Sequence, residues 1–193
     1  MRARLASGNA HKLEELRVAL PGWELALLET DATYPPEDGA TYEENARGKA
    51  LFGRAHAPAD EWVLGEDSGI EVATLGGAPG VVSARYGGEG SGKARILHEL
   101  DGAEDRRARY VCTIVALGPA GEELVVVGTL DGAVGHEQRG SEGFGYDPIF
   151  VPDGETRTVA ELGNAWKREH SHRARAAAAL RDALATEASR ETR

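Results

Sequence analysis

Cysteine is nearly absent from this 193-residue chain: Cys112 is the only one, so no disulfide can form within it. A reducing, cytoplasmic setting is the expectation. No apolar run approaches the ~20 residues of a membrane span, which argues against a transmembrane helix. The start, Met1-Arg2-Ala3-Arg4-Leu5, enters a strand-like segment without the apolar core of a secretion signal. Positive charge is also scarce. With 22 Lys and Arg against 32 Asp and Glu, the net charge is −10. That argues against a general nucleic-acid binder, which carries a broad basic face. It does not exclude a small polyanion held by a metal and a few local cations. Internal repeats are missing, and so is any linker long enough to divide the chain. What is present is 41% hydrophobic sequence, enough for a globular core. One domain over residues 1–193 is predicted, with a polar tail that frays from about Thr186.

The hydrophobic pattern predicts a strand over Ala3 to Ala6, a turn at Ser7-Gly8-Asn9-Ala10, and a helix over Lys12 to Leu20 ended by Pro21-Gly22. A second strand is predicted over Trp23 to Leu28. The next helix runs from Thr41 to about Arg54, because Thr41-Tyr42-Glu43-Glu44 matches a capping box. Further on come a helix over Ala94 to Leu100, a doubly buried strand over Tyr110 to Leu117, and its hairpin partner over Glu123 to Gly128. An Ala-rich helix over His172 to Leu184 closes the chain. Strands and helices mix without a strict βαβ period, which predicts an α/β fold with a mixed sheet.

The most informative segment is Glu66-Asp67-Ser68-Gly69, between the apolar runs Trp62-Val63-Leu64-Gly65 and Ile70-Glu71-Val72. Its composition reads as a tight turn. Adjacent carboxylates held there suit magnesium, which takes one or two protein carboxylates and completes its shell with water and substrate phosphates. A carboxylate beside such a metal can take a proton from attacking water. Glu37, Asp38, Glu43 and Glu44 supply candidates for a remote ligand. Glu44 is explained by the capping box, so Glu37 is favoured.

Three other segments carry possible chemistry. In Ser7-Gly8-Asn9-Ala10-His11-Lys12, a strand-to-helix turn offers backbone N–H groups, an amide and a cation to phosphate. In Gly143-Phe144-Gly145-Tyr146-Asp147-Pro148, the aromatics can stack a base while Asp147 accepts from a ring N–H. Lys167, with Ser171-His172-Arg173, can bind phosphate or base oxygens. Each also has an ordinary reading, as a helix cap, a hairpin loop or a surface charge. Gly87 to Lys93 matches the Gly-x4-Gly-Lys core of a phosphate-binding P-loop. However, Ala94 stands where that loop needs Ser or Thr for magnesium, and Glu89 puts negative charge in the cradle.

Taken in order, these motifs resemble the inosine/xanthosine triphosphate pyrophosphatase (ITPase) family. Ser7-Gly8-Asn9 to Lys12 is similar to its opening Thr/Ser-x-Asn-x-x-Lys. Glu44-Asn45-Ala46 with Lys49-Ala50, Glu66-Asp67-Ser68-Gly69, Gly77-Ala78-Pro79-Gly80 to Ser83-Ala84-Arg85-Tyr86, Phe144-Gly145-Tyr146-Asp147 and Ser171-His172-Arg173 match further signatures. The resemblance implies an elongated, twisted mixed sheet flanked by helices, two lobes with a cleft between them, and a homodimer. It implies magnesium-dependent hydrolysis of ITP, dITP and XTP to the monophosphate and pyrophosphate, with no nucleic-acid or membrane partner. On this template Asp67 is the base, and Glu66, Asp67 and Glu37 hold the metal. Ser7, Gly8, Asn9, Ala10, His11, Lys12 and Lys167 meet the phosphates, and Ser68 offers its hydroxyl. Phe144, Gly145, Tyr146, Asp147, His172 and Arg173 read the base. Ser7 stands where Thr is common, Glu66 where many relatives carry Asp, and Gly163-Asn164-Ala165-Trp166 is atypical ahead of Lys167. The rival readings are a P-loop NTPase or kinase, and a nucleotide-binding module without turnover.

Overall fold

The computed structural model describes residues 1–88 and 91–191. Six strands form one mixed sheet: β1 (Arg2–Leu5), β2 (Glu24–Leu27), β3 (Trp62–Val72), β4 (Arg107–Leu117), β5 (Glu123–Val134) and β6 (Phe150–Pro152). Their order is β2-β1-β3-β4-β5-β6. β1 runs parallel to β2 and β3, whereas β6 runs antiparallel to β5. The helices are α1 (Ala10–Ala19), α2 (Tyr42–His56), α3 (Gly92–Glu99), α4 (Val159–His170) and α5 (His172–Glu191). No helix among the described residues is long and apolar enough to cross a membrane.

The chain divides into two compact units. The first comprises Met1–Asp67, Cys112–Gly128 and the chain from Arg173 onward; the second comprises Ser68–Val111 and Thr129–His172. In the first unit, Leu13 and Leu16 of α1 meet Leu5, Leu64 and Ile114 of the sheet and Ala176, Ala177 and Leu180 of α5. The small α5 residues let that helix lie close to the strands. In the second, Ile70, Val72, Tyr110, Leu130 and Phe150 pack with Ile96 of α3 and Val159 of α4.

Four sequence expectations are corrected. The Glu66-Asp67-Ser68-Gly69 segment is not a turn but the middle of the 11-residue strand β3. Asp67, Ser68 and Gly69 are turn-forming residue types, yet the strand runs straight through them. Just ahead of them, at Gly65, a Cβ would lie 2.0 Å from the Ala46 carbonyl oxygen and 2.6 Å from the Ala50 nitrogen. Gly65 therefore serves the close approach of α2 to the strand. β5 runs on to Val134 rather than stopping at Gly128. Asp131-Gly132 looks like a turn, but a Cβ on Gly132 would meet the Val151 carbonyl oxygen at 2.3 Å, so this glycine admits β6. Helix α4 was not expected. Thr158 and Glu161 form a reciprocal capping box at its start, and Gly163, at φ 87°, breaks its path. Finally, α5 runs to Glu191 rather than ending at Leu184.

Candidate functional site

In the first unit, α1 begins at the predicted strand-to-helix turn. The Asn9 Oδ1 accepts from the backbone nitrogens of His11 (3.0 Å) and Lys12 (3.3 Å), and the Ser7 Oγ accepts from the Asn9 nitrogen at 3.1 Å. Asn9 is thus the N-cap. Its carbonyl oxygen is engaged, and only its amide protons remain to donate. Gly8, Ala10 and His11 are exposed along this turn.

Successive side chains on a strand point to opposite faces, and β3 obeys this rule at its two acids. Glu66 turns toward α1 and α5. Lys12 Nζ lies 2.6 Å from its Oε2, and Arg173 Nη2 lies 3.0 Å from its Oε1. Arg173 also pairs with Glu15 of α1. Glu66 is fully buried and Arg173 is 1% exposed. Burial opposes the Glu66 charge, yet Lys12 and Arg173 hold its carboxyl well below the ordinary range. Burial likewise opposes the Arg173 charge, but Glu66 and Glu15 keep its guanidinium firmly protonated. The Cys112 Sγ sits 3.3 Å from Glu66 Oε1, and burial, with that carboxylate beside it, pushes the thiol well up. Such a thiol is no nucleophile.

Asp67 turns the other way, toward α2. Its Oδ1 lies 2.9 Å from Lys49 Nζ, and its Oδ2 accepts from Asn45 Nδ2 at 3.1 Å. Glu37 Oε1 approaches the same Lys49 ammonium at 2.7 Å. Glu37 and Asp67 therefore converge on one cation, while Glu66 stands on the opposite face. Burial pushes the Asp67 carboxyl up, against the pull of Lys49 and Asn45. For Lys49, burial works against the charge, but Asp67 and Glu37 raise its ammonium above the ordinary value. Glu44 accepts from the Ala40 nitrogen at 2.7 Å, which supports its reading as a helix-start residue.

In the second unit, Asp147 is 2% exposed. Its Oδ2 accepts from Lys167 Nζ at 2.6 Å and from the Phe144 nitrogen at 2.8 Å; its Oδ1 accepts from the Tyr110 hydroxyl at 3.2 Å. The Lys167 ammonium also lies 4.0 Å above the centre of the Phe144 ring. The Tyr146 hydroxyl donates to the Ser83 carbonyl at 2.7 Å. Gly145 is exposed beside it, and Ser68, on β3, is half-buried. The His172 ring stacks on Tyr110 with centroids 4.6 Å apart.

The structure thus brings Asp67 together with Glu37, Lys12 with Glu66 and Arg173, and Asp147 with Lys167 and Phe144. Lys49, Asn45, Glu15 and Tyr110 were not among the expected site residues. For the first two a signal existed: they lie four apart on the face of α2 that buries Tyr42, Ala46, Ala50 and Gly53. A lysine on a buried helix face needs a carboxylate partner. Glu89 and Gly90 of the P-loop-like run lie outside the described residues. Gly92 has a packing reason, since a Cβ there would meet the Tyr146 hydroxyl oxygen at 2.5 Å.

Comparison with known proteins agrees with this fold. The dITP/XTP pyrophosphatase of Deinococcus deserti is 45% identical over 184 residues, which cover 93% of this chain and 87% of the relative. That of Opitutus terrae is 45% identical over 196 residues, covering 93% and 97%. Among solved structures, the Ham1 protein of Staphylococcus aureus matches with a TM-score of 0.84 at 35% identity, covering 97% of this chain and 100% of that one. A nucleoside-triphosphatase, dITP/XTP pyrophosphatase, of Mycobacterium abscessus matches at 0.73 and 42% identity, covering 93% and 98%. The model of the Ham1 family spans residues 3–183. This chain belongs to the Ham1 family.

Proposed function

We propose that the chain is a nucleoside triphosphate pyrophosphohydrolase that converts ITP, dITP and XTP to the monophosphate and pyrophosphate, clearing deaminated purines from the nucleotide pool. Its family membership and the names of its relatives support this reading. The structural observation that carries it is the convergence of Asp67 and Glu37 on Lys49. Two hard oxygen donors that share one cation fit magnesium, which needs no more than that from a protein. Asp67 and Glu37 would hold the ion, and it would polarise the triphosphate and neutralise charge on the leaving pyrophosphate. Glu66 faces the other way, so we assign it to orienting Lys12 rather than to the metal.

Water adds across the α–β anhydride, and Asp67 takes its proton. Lys49 and Asn45 orient the Asp67 carboxylate for that role. Lys12, locked by Glu66, and the Asn9 side-chain amide at the start of α1 bind phosphate oxygens. Lys167 adds a further cation, and Ser68 contributes its hydroxyl. Phe144, Tyr146, Asp147 and His172 read the base. A 6-oxopurine carries a proton on N1 where adenine carries a lone pair, so an acceptor such as Asp147 favours the former. Arg173 is turned inward to Glu66 and Glu15, so we assign it to supporting Lys12. A homodimer acting in the cytoplasm completes the reading.

Product analysis with ITP and GTP, with and without magnesium, tests it. The expected result is IMP plus pyrophosphate from ITP, little product from GTP, and none without metal. IDP plus orthophosphate would discard the mechanism in favour of terminal phosphate release.

A further inference from the structure

Tyr110 is a residue to which neither the motifs nor the proposed mechanism gives a role. It sits on β4 and is 5% exposed. A buried ring that merely filled space would need no hydroxyl. Here the hydroxyl reaches Asp147 Oδ1 at 3.2 Å. The same ring stacks on His172 at 4.6 Å and 21°, and it packs against Phe150 at 4.3 Å and 39°. One side chain therefore touches two residues assigned to base recognition, and it does so through different groups: the phenol holds Asp147, and the ring face holds His172.

We infer that Tyr110 is a positioning residue for base selection, fixing the Asp147 carboxylate and the His172 ring in the orientation that meets a 6-oxopurine. This inference rests on the proposed pyrophosphohydrolase reading. A carboxylate can rotate about its Cβ–Cγ bond. In Asp147 the Oδ2 is held by Lys167 and the Phe144 nitrogen, and the Tyr110 hydroxyl holds Oδ1. With both oxygens held, the plane of the carboxylate is set, and an N1–H donor meets an oriented acceptor. Adenine presents a lone pair to the same oxygen and gains nothing from the arrangement. The hydroxyl thus contributes to discrimination without touching the substrate.

The test compares kcat and KM for ITP and ATP in the wild type, Tyr110→Phe, Asp147→Asn and the double variant. Tyr110→Phe keeps the ring and the His172 stack and removes only the donor. A hydrogen bond to a charged group supports an expected loss of roughly tenfold in the ITP-over-ATP preference, carried by KM for ITP. A purely structural role would lower both substrates alike and leave the ratio unchanged. The double variant is expected to be no worse than Asp147→Asn alone, because Tyr110 acts through that carboxylate. Tyr110→Leu removes the stack as well and is expected to lose more. If the wild type hydrolyses ITP selectively while Tyr110→Phe keeps the full preference, the role of Tyr110 is overturned and the parent reading stands. If the wild type does not hydrolyse ITP, both fall.

Discussion

Replacing Glu66 with glutamine separates two assignments for this acid. Glutamine keeps the shape and removes the charge. Glu66 is fully buried between Lys12 Nζ at 2.6 Å and Arg173 Nη2 at 3.0 Å. Removing one member of a buried ion pair costs about 3–5 kcal/mol, because the other charge is left uncompensated. Two features place this site at the lower end. Arg173 retains Glu15, and the Lys12 side chain is 15% exposed and can turn to water. A loss of about 3 kcal/mol is therefore expected, which in a chain of this size lowers the melting temperature by roughly 6–12 °C. Urea and thermal unfolding measure the loss, and turnover at graded magnesium concentrations measures metal demand. The expected variant is less stable, has a raised KM for ITP because Lys12 is no longer oriented, and needs the same magnesium. A stability loss below about 1 kcal/mol, together with a large rise in the magnesium required, would refute the reasoning and return Glu66 to the metal.

Asp67→Asn is expected to lower kcat by about 10²–10⁴-fold while the chain stays folded, since Lys49 keeps Glu37 as a partner; residual turnover above a tenth would remove it as the base. Gly65→Ala is expected to cost at least about 1–3 kcal/mol and to lower kcat, because the new methyl group would push α2, with Asn45 and Lys49, away from Asp67; an unaltered Tm would contradict the packing argument. The acid limb of stability carries a Glu66 share. Its folded pKa is depressed, so its contribution is complete above the ordinary value of 4.5 and is lost as pH falls through the lower folded value. Urea midpoints between about pH 6 and 3 should fall less steeply for Glu66→Gln, and identical slopes would rule this share out.

Much of this was legible in the chain. Leu13 and Leu16, with Leu20 at the C-cap, announce α1 because their helical spacing matches the face that is buried, and Thr41 announces α2 by its capping chemistry. The site residues were legible as types: Asp67, Lys12, Asp147 and Lys167 were each named from local sequence. Their partners were less so. Glu15 meets Arg173 and Tyr110 meets Asp147 across long sequence separations, and only the fold brings such pairs together. The plainest error came from turn-forming residue types, Asp67, Ser68 and Gly69, that here lie inside a strand. At Gly65 and Gly132 glycine marks a place where another backbone comes close, which only the fold shows.

Glu66 and Asp67 are neighbours in sequence, but the strand between them acts as a partition. Each acid has its own cation supply, Lys12 and Arg173 on one side and Lys49 on the other. One carboxyl is held down and the other is raised. Lys49 also draws the Glu66 carboxyl down, and Lys12 draws the Asp67 carboxyl down, so the two faces stay linked through the strand. A substitution on α2 that adjusts the base therefore also reaches the grip on phosphate, and one on α1 also reaches the base.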